Sequence, residues 1–386
     1  MLNAPNQVDF EFTLALNNST GKYFIGQDVI EACGDLIRHV WYWRIPAKSL
    51  PRRNVSRVLG RLALIEVNAR VALRSSWFVP PLVRCPRPMV FTDPREVILY
   101  EIKPCDVVVC HDMGPLTHSH LYGRKVRSTY EIAFNKIKQA KPILIFVSKC
   151  SMSNFVSLYG DDYRSMSVIY PGIREGIFSG NVEPFEVASQ RFLLSVGSVG
   201  LRKNYLRTIE AFSRSKLVDE GFSYIICGGT EPGFDDVIEA ASSVPGVIIP
   251  GYVNDNQLRW LYRHASGFVL PSLLEGFGLP VAEAIYNGLV PLLTTGSAMH
   301  EVAGDSALLV DPLNSAEIAE GMLRLANMGQ EERQSRLEAL QNSCARFSRN
   351  SANSAWRSIL LQAIEDARLQ WARDNVPLEA RSPMGS

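Results

Sequence analysis

Two glutamates eight residues apart, Glu275 and Glu283, bracket a glycine pair in the segment Pro271-Ser272-Leu273-Leu274-Glu275-Gly276-Phe277-Gly278-Leu279-Pro280. The apolar run Phe268–Leu270 precedes it and a helical pattern follows, so the order is strand, glycine loop, helix. Gly276 and Gly278 let backbone N–H groups approach a ligand closely, Pro280 suits a first helical turn, and a helix N-terminus attracts an anion. Such a loop can hold a phosphate or a sugar, and two carboxylates beside it can accept hydrogen bonds from vicinal hydroxyls. A lone glutamate near a helix start also complements the helix dipole with no ligand at all.

A second segment, Gly197-Ser198-Val199-Gly200-Leu201-Arg202-Lys203-Asn204, follows the apolar run Phe192–Val196. Arg202 and Lys203 thereby stand at a strand end, where they could neutralise a diphosphate. In the first half of the chain His111 follows Val107–Cys110, with Asp112 beside it and His118 and His120 downstream. A single strand-end histidine is, by itself, as much a structural feature as a chemical one. No Gly-x-Gly-x-x-Gly occurs, and Ser19-Thr20-Gly21-Lys22-Tyr23 lacks both the leading Gly and the hydroxyl residue after Lys of a P-loop. This disfavours ATPases and typical dehydrogenases.

The elements that would position these residues alternate. From Arg191 onward short apolar runs (Phe192–Val196, Tyr224–Cys227, Val247–Ile249, Phe268–Leu270, Val290–Leu293, Leu308–Val310) are separated by amphipathic stretches such as Leu258, Leu261, Tyr262 and Ala265. The rhythm is that of βαβ units, an α/β class with a mostly parallel sheet and ligands at the carboxyl ends of the strands. The first half repeats it less clearly. Its expected strands are Phe10–Leu16, Val107–Cys110 and Ile143–Val147, and its expected helices Tyr23–Leu36 and Ser148–Leu158. The reading is therefore a domain over 1–172, a linker over 173–190 rich in Gly, Pro and acids, a second domain over 191–350, a helix over 351–373 with Trp356, Leu360, Ala363, Ala367 and Trp371 on one face, and a tail over 374–386.

Net charge is only +1, yet residues 1–180 hold 23 Lys/Arg against 15 Asp/Glu and residues 181–386 hold 17 against 24, so the halves differ in sign. Between Leu36 and Pro80 nine basic residues accompany one acid, Glu66, with Trp41, Tyr42, Trp43, Trp77 and Phe78 among them. Basic and aromatic residues together suit an anionic lipid surface along Arg38 to Arg74, and they equally suit a solvated basic helix over core tryptophans. Nucleic acid is disfavoured because no helix-turn-helix, zinc-finger or RNA-binding signature accompanies the charge. Seven scattered cysteines with no Cys-x-x-Cys pair point to buried thiols and to no metal site. No window of eighteen apolar residues occurs, and the first eleven residues have no signal-peptide pattern, so the expected compartment is the cytoplasm.

From Arg191 to Phe347 the chain resembles retaining glycosyltransferases of family 4. The resemblance rests on Val196-Gly197 with Arg202-Lys203-Asn204, Gly251-Tyr252-Val253, Leu270-Pro271-Ser272 with Glu275-Gly276-Phe277-Gly278-Leu279-Pro280, Glu283-Ala284, and Met299-His300-Glu301-Val302. A looser likeness covers Val109-Cys110-His111-Asp112-Met113-Gly114-Pro115 in the first half.

It implies the GT-B architecture, two facing Rossmann-like domains with donor and acceptor in a cleft. It further implies that Glu275 and the amides of Gly276, Phe277, Gly278 and Leu279 hold the donor sugar, that Glu283 holds the ribose, and that Lys203 binds the diphosphate. Gly251, Tyr252 and Val253 would line the base, and His111 would contact the sugar near the reacting carbon.

Where many members have Arg after Gly197 this chain has Ser198, which leaves Arg202 as the second phosphate cation or none. A glycine-rich turn near the amino terminus is reduced to Thr20-Gly21, so Thr20, Gly21, Asp112 and His118 are acceptor-side candidates only.

The implied activity is transfer of a hexose, with GDP-mannose the first candidate donor, from a nucleoside-diphosphate sugar to a lipid-linked glycan at the inner membrane face. No cofactor or metal is expected. A phosphorylase or soluble disaccharide synthase on the same fold, or a binding subunit without activity, are the alternatives.

Overall fold

The structure is a computed structural model and describes residues 4–17, 21–48, 53–73, 81–173, 179–186 and 191–375. Two compact units emerge, one of Met1–Val147, Ser151–Tyr170 and Asn350–Ser386, the other of Ser148–Cys150 and Pro171–Arg349.

The first unit is built on strands β1 (Val8–Glu11), β2 (Ile37–Tyr42), β3 (Ile45–Ala47), β4 (Met89–Phe91), β5 (Val107–Cys110), β6 (Ile143–Phe146) and β7 (Ser165–Val168). They lie in the order β3-β2-β1-β4-β5-β6-β7. Every pairing is parallel except the β2–β3 hairpin. β5 and β6 are buried along their whole length, as central strands covered on both faces must be. Tyr130, Ala133, Phe134 and Ile137 of the helix Arg124–Ala140 pack onto Phe91, Val108, Leu144 and Phe146.

The long helix Arg349–Asn375 adds Trp356, Leu360, Ala363 and Ala367 to the same unit, buried as their spacing demands, while Trp371 is partly exposed. Arg357 pairs with Asp35 at 2.6 Å and Arg368 donates to the Pro5 carbonyl at 3.0 Å, which tie that helix to the amino-terminal elements.

The second unit contains β8 (Arg191–Val196), β9 (Phe222–Cys227), β10 (Val247–Gly251), β11 (Gly267–Leu270), β12 (Pro291–Thr294) and β13 (Leu308–Val310). Their order, β10-β9-β8-β11-β12-β13, is wholly parallel, with the reversal of direction between β8 and β11. In such sheets a crevice opens at the strand ends flanking the reversal. The expected α/β class with two Rossmann-like units is the one observed.

The first half departs from its sequence reading in several places. The expected strand Phe10–Leu16 ends at Glu11 and gives way to a 3-10 turn, Leu14–Asn17. Carboxylates replace the ladder there: Glu11 accepts from the Thr13 amide at 2.9 Å and Glu96 from the Leu14 amide at 2.9 Å. The expected helix Tyr23–Leu36 is Gly21–Ala32 followed by a separate 3-10 turn, Gly34–Leu36.

Trp41, Tyr42 and Trp43 do not form an outward aromatic face. Tyr42 is buried on β2, and Trp41 and Trp43 pack against the core. Trp43 Nε1 donates to Glu66 at 2.8 Å, and Arg44 and Arg70 pair with the same carboxylate at 2.6 and 2.9 Å. The single acid of that basic stretch is thus its internal anchor. Arg52, Arg74, Trp77, Phe78, Thr20 and the tail beyond Asn375 lie outside the described residues, as do parts of the expected linker.

Candidate active site

In the second unit, the loops leaving β8 and β11 at the reversal are laced together. Leu201–Lys203 forms a 3-10 turn that ends on Asn204 in the left-handed region, φ +64°, which Asn tolerates better than most residues. Asn204 Nδ2 then donates to the Pro271 carbonyl at 3.0 Å and the Pro312 carbonyl at 2.7 Å. The Leu273 amide donates to the Arg202 carbonyl at 3.0 Å, and Arg202 Nη1 donates to the Leu274 carbonyl at 3.1 Å. The Arg-Lys-Asn triplet therefore grips the residues before Glu275 one after another.

Glu275 is the electrostatic centre. Its Oε1 accepts from Lys203 Nζ, and its Oε2 lies 3.3 Å from Arg202 Nη1. Burial alone would raise the carboxyl above its ordinary range, but Lys203 first and then Arg202 outweigh it and hold the group low. Gly197 makes room for the Lys203 ammonium. A Cβ there would lie 2.9 Å from Lys203 Cε and 3.0 Å from Nζ, and φ is +153°.

Gly276, Phe277 and Gly278 follow, leading into the helix Leu279–Tyr286 with Pro280 in its first turn. Gly278 has φ +103° and would meet Met299 at 2.9 Å if it bore a Cβ, so this position needs glycine on both counts. Glu283 lies in that helix and is buried, its carboxylate accepting from the Tyr262 hydroxyl at 3.1 Å. At the end of β10, Gly251 turns at φ +76°, Val253 is buried, and Tyr252 is 80% exposed.

In the first unit the equivalent reversal lies between β1 and β4. Thr92 and Asp93 follow β4 and His111 follows the adjacent β5, and Lys22, from the helix Gly21–Ala32, joins Thr92 and His111 in a crevice also lined by Phe10, Val109 and Trp356. Lys22 and Arg95 each lie 2.8 Å from the Asp93 carboxylate. Burial would raise that carboxyl, but Arg95 and Lys22 hold it well below its ordinary range.

His111 is buried, with Nε2 2.8 Å from the Thr92 carbonyl. Since a carbonyl only accepts, the ring proton sits on Nε2 and Nδ1 carries the lone pair. Burial, then Lys22, lowers its pKa to about 4, so the ring is neutral at pH 7.

Asp112 accepts from the Gly114 amide at 2.9 Å, while His118 meets Thr117 Oγ1 at 2.9 Å and His120 is exposed. The structure thus brings Arg202, Lys203 and Glu275 into one cluster and gathers Lys22, Asp93 and His111 into another.

Two pairings escaped the sequence reading. Glu231, which holds Arg202 through contacts of 2.9 and 3.3 Å, sits in Gly228-Gly229-Thr230-Glu231-Pro232, whose glycines and proline mark a strand-end loop. Lys22 and Asp93 are 71 residues apart, a distance no motif spans.

Residues 182–342 match the family of glycosyl transferases group 1. This stretch is a group 1 glycosyltransferase domain. It contains the whole Arg202, Lys203, Glu231 and Glu275 cluster together with Glu283.

The chain and its relatives share stretches of sequence: it is 31% identical over 135 residues to O-antigen chain mannosyltransferase B of Escherichia coli, covering 34% of this chain and 35% of that protein. It is 27% identical over 209 residues to O-antigen chain mannosyltransferase RfbU of Salmonella typhimurium, covering 53% of this chain and 56% of that protein. The chain therefore spans roughly a third to just over half of these relatives. Among solved structures, Anabaena Alr3699/HepE in complex with UDP and glucose superposes with a TM-score of 0.66 at 15% identity, over 92% of this chain and 99% of that one. That likeness concerns the fold.

Proposed function

We propose that the protein is a retaining hexosyltransferase that takes a sugar from a nucleoside diphosphate, with GDP-mannose the first candidate, and passes it to a hydroxyl of a growing lipid-linked glycan. The observation that carries this reading is the buried Lys203–Glu275 pair at the β8–β11 reversal of a group 1 domain, beside a glycine loop that opens a helix. A diphosphate can take over Lys203 as its counter-ion while Glu275, released in part, accepts hydrogen bonds from sugar hydroxyls. The amides of Gly276 to Leu279 and the helix end stabilise charge that grows on the leaving group.

Glu283, anchored by Tyr262, is assigned to the ribose, and Gly251, Tyr252 and Val253 to the base. Neutral His111 offers Nδ1 to the donor sugar, and the departing phosphate takes the acceptor proton on the face it leaves. Transfer with retention by this route needs no metal. Among the described residues no three His, Cys, Asp or Glu side chains are grouped to hold one.

The relatives act in O-antigen synthesis by their names, which supports a glycan acceptor. Support for contact with an anionic membrane is the helix Arg53–Leu73, which exposes Val58, Leu62, Ile65 and Leu73 beside Arg61. Among the described residues no helix is long and apolar enough to cross a membrane. Flotation with acidic liposomes, lost on Leu62→Glu with Ile65→Glu, checks this part. Equal flotation of variant and parent removes it.

The main test is thermal-shift titration with GDP, UDP, ADP and their sugars. A true donor at 100 times its Kd raises stability by about 2.7 kcal/mol. The anomeric configuration of the product, read by NMR, then decides retention. Phosphate-dependent turnover would favour the phosphorylase reading instead.

A further inference from the structure

Arg202 is the residue expected to stand in for the arginine that Ser198 replaces, yet its guanidinium is already fully engaged. Nε and Nη2 fork onto the Glu231 carboxylate at 2.9 and 3.3 Å, and Nη1 reaches the Leu274 carbonyl at 3.1 Å and Glu275 Oε2 at 3.3 Å. The Glu231 loop is itself pinned to the β8 loop. The Glu231 amide donates to the Val199 carbonyl at 2.9 Å, and the Val199 and Leu201 amides donate to the Gly229 and Pro232 carbonyls at 2.7 and 3.1 Å. The approach is so close that a Cβ on Gly200 would lie 2.7 Å from the Pro232 carbonyl oxygen. Glu231 thus stands on a fixed base and aims Arg202 at the loop that carries Glu275.

We propose that Glu231 is a positioning residue of the donor site, that Arg202 is the strap it holds across Leu274 and Glu275, and that Lys203 alone of the pair serves the donor diphosphate. The inference rests on the proposed function for its ligand, but not for its mechanics. A planar fork clamped on one carboxylate at each side is suited to fixing geometry, whereas Lys203, a point charge on a flexible stem, can exchange one anion for another. Releasing Arg202 to a ligand would break its bonds to Glu231, Leu274 and Glu275 together.

Two measurements test this. The first needs no ligand: amide hydrogen exchange of the free protein with Glu231→Gln. The strap predicts exchange about tenfold faster or more at Leu273 to Gly276, with the helix Tyr205–Ser215 unchanged as the internal control for folding. Unchanged exchange at Leu273 to Gly276 overturns the inference whatever the ligand proves to be.

The second is calorimetry and steady-state kinetics with GDP and UDP and their sugars. Glu231→Gln and Arg202→Lys should each lower turnover about tenfold while nucleoside-diphosphate affinity stays within about threefold. The double variant should be no worse than either alone, because both break one device. Glu231→Asp, which keeps the charge, should recover part of the turnover.

If Arg202 were instead a diphosphate ligand, Glu231→Gln would free it and tighten nucleoside-diphosphate binding, and that result overturns the proposal. A parent protein that binds no nucleoside diphosphate while the exchange arm succeeds would count against the proposed function and leave the strap standing.

Discussion

The two sheet reversals of this protein handle charge in opposite ways. At the β8–β11 reversal two cations and two carboxylates (Arg202, Lys203, Glu231 and Glu275) pair with one another, and Lys203 and Arg202 hold the Glu275 carboxyl below its ordinary range. Around the β1–β4 reversal, Lys22 and Arg95 hold Asp93 ionised, while Glu11, Glu96 and His111 beside that trio are pushed toward neutrality. Burial raises Glu11 to about 7 and Glu96 well above its ordinary range, and lowers His111 to about 4. The contrast teaches that paired charges are exchangeable for a charged ligand, while desolvated neutral groups are poised to respond to protons. Ligand sensitivity should therefore reside in the second unit and acid–base sensitivity in the first.

The comparison breaks most visibly at Lys203. Lys203→Met removes the first counter-charge of Glu275 and the cation assigned to the diphosphate. Nucleoside-diphosphate affinity should fall about 10²-fold, close to the upper end of one charge-assisted hydrogen bond, and urea unfolding should show a loss of about 3 kcal/mol. Affinity unchanged by calorimetry would move the phosphate site elsewhere.

His111 sharpens the other side. His111→Gln should lower turnover about 10²-fold with little change in nucleoside-diphosphate affinity, and His118→Gln should do neither. Its effect on stability has a definite sign. A histidine whose folded pKa is depressed from 6.5 to about 4 adds stability above pH 6.5, and that contribution is lost as pH falls toward 4. The gap between parent and His111→Gln should narrow by about 3 kcal/mol over that window, read from urea unfolding at each pH. Glu11, raised to about 7, acts oppositely: its contribution is present below pH 4.5 and is lost as pH rises through 7. Comparing variant with parent isolates the histidine because Glu11 is common to both.

Gly197→Ala should have a smaller effect on binding, a loss of about tenfold in nucleoside-diphosphate affinity as the added methyl displaces the end of Lys203, with a stability cost of about 1–3 kcal/mol from the φ of +153°. The smallest expected effect is that of chelation. EDTA should leave transfer unchanged, and restoration of lost activity by Mg²⁺ or Mn²⁺ would show that Lys203 and the helix end do not suffice for the diphosphate.

The second unit was the more legible because its βαβ rhythm repeats with clean apolar runs. All six expected runs correspond to β8 to β13, though several strand boundaries shift by a residue or two. The first unit hid β2 and β7, whose apolar residues are interrupted by polar ones, and β3 and β4, which span only three residues each. There the basic, aromatic stretch suggested a surface. What placed Trp43 and Arg44 inward was Glu66, reached over 22 to 23 residues and legible only as the one acid among many bases.

By itself the sequence determined the fold class, the strand–loop–helix around Glu275 and the candidacy of Lys203, because strand periodicity, glycine loops and helix starts are written in neighbouring residues. Only the tertiary structure decided who pairs with whom: Glu231 with Arg202, Tyr262 with Glu283, Lys22 with Asp93, and the His111 ring with the Thr92 carbonyl. A parallel sheet sets strand ends side by side in an order unrelated to their separation along the chain, and burial then assigns the charge each group can keep. Whether a cation waits for a ligand or straps a loop is therefore settled by its neighbours in space.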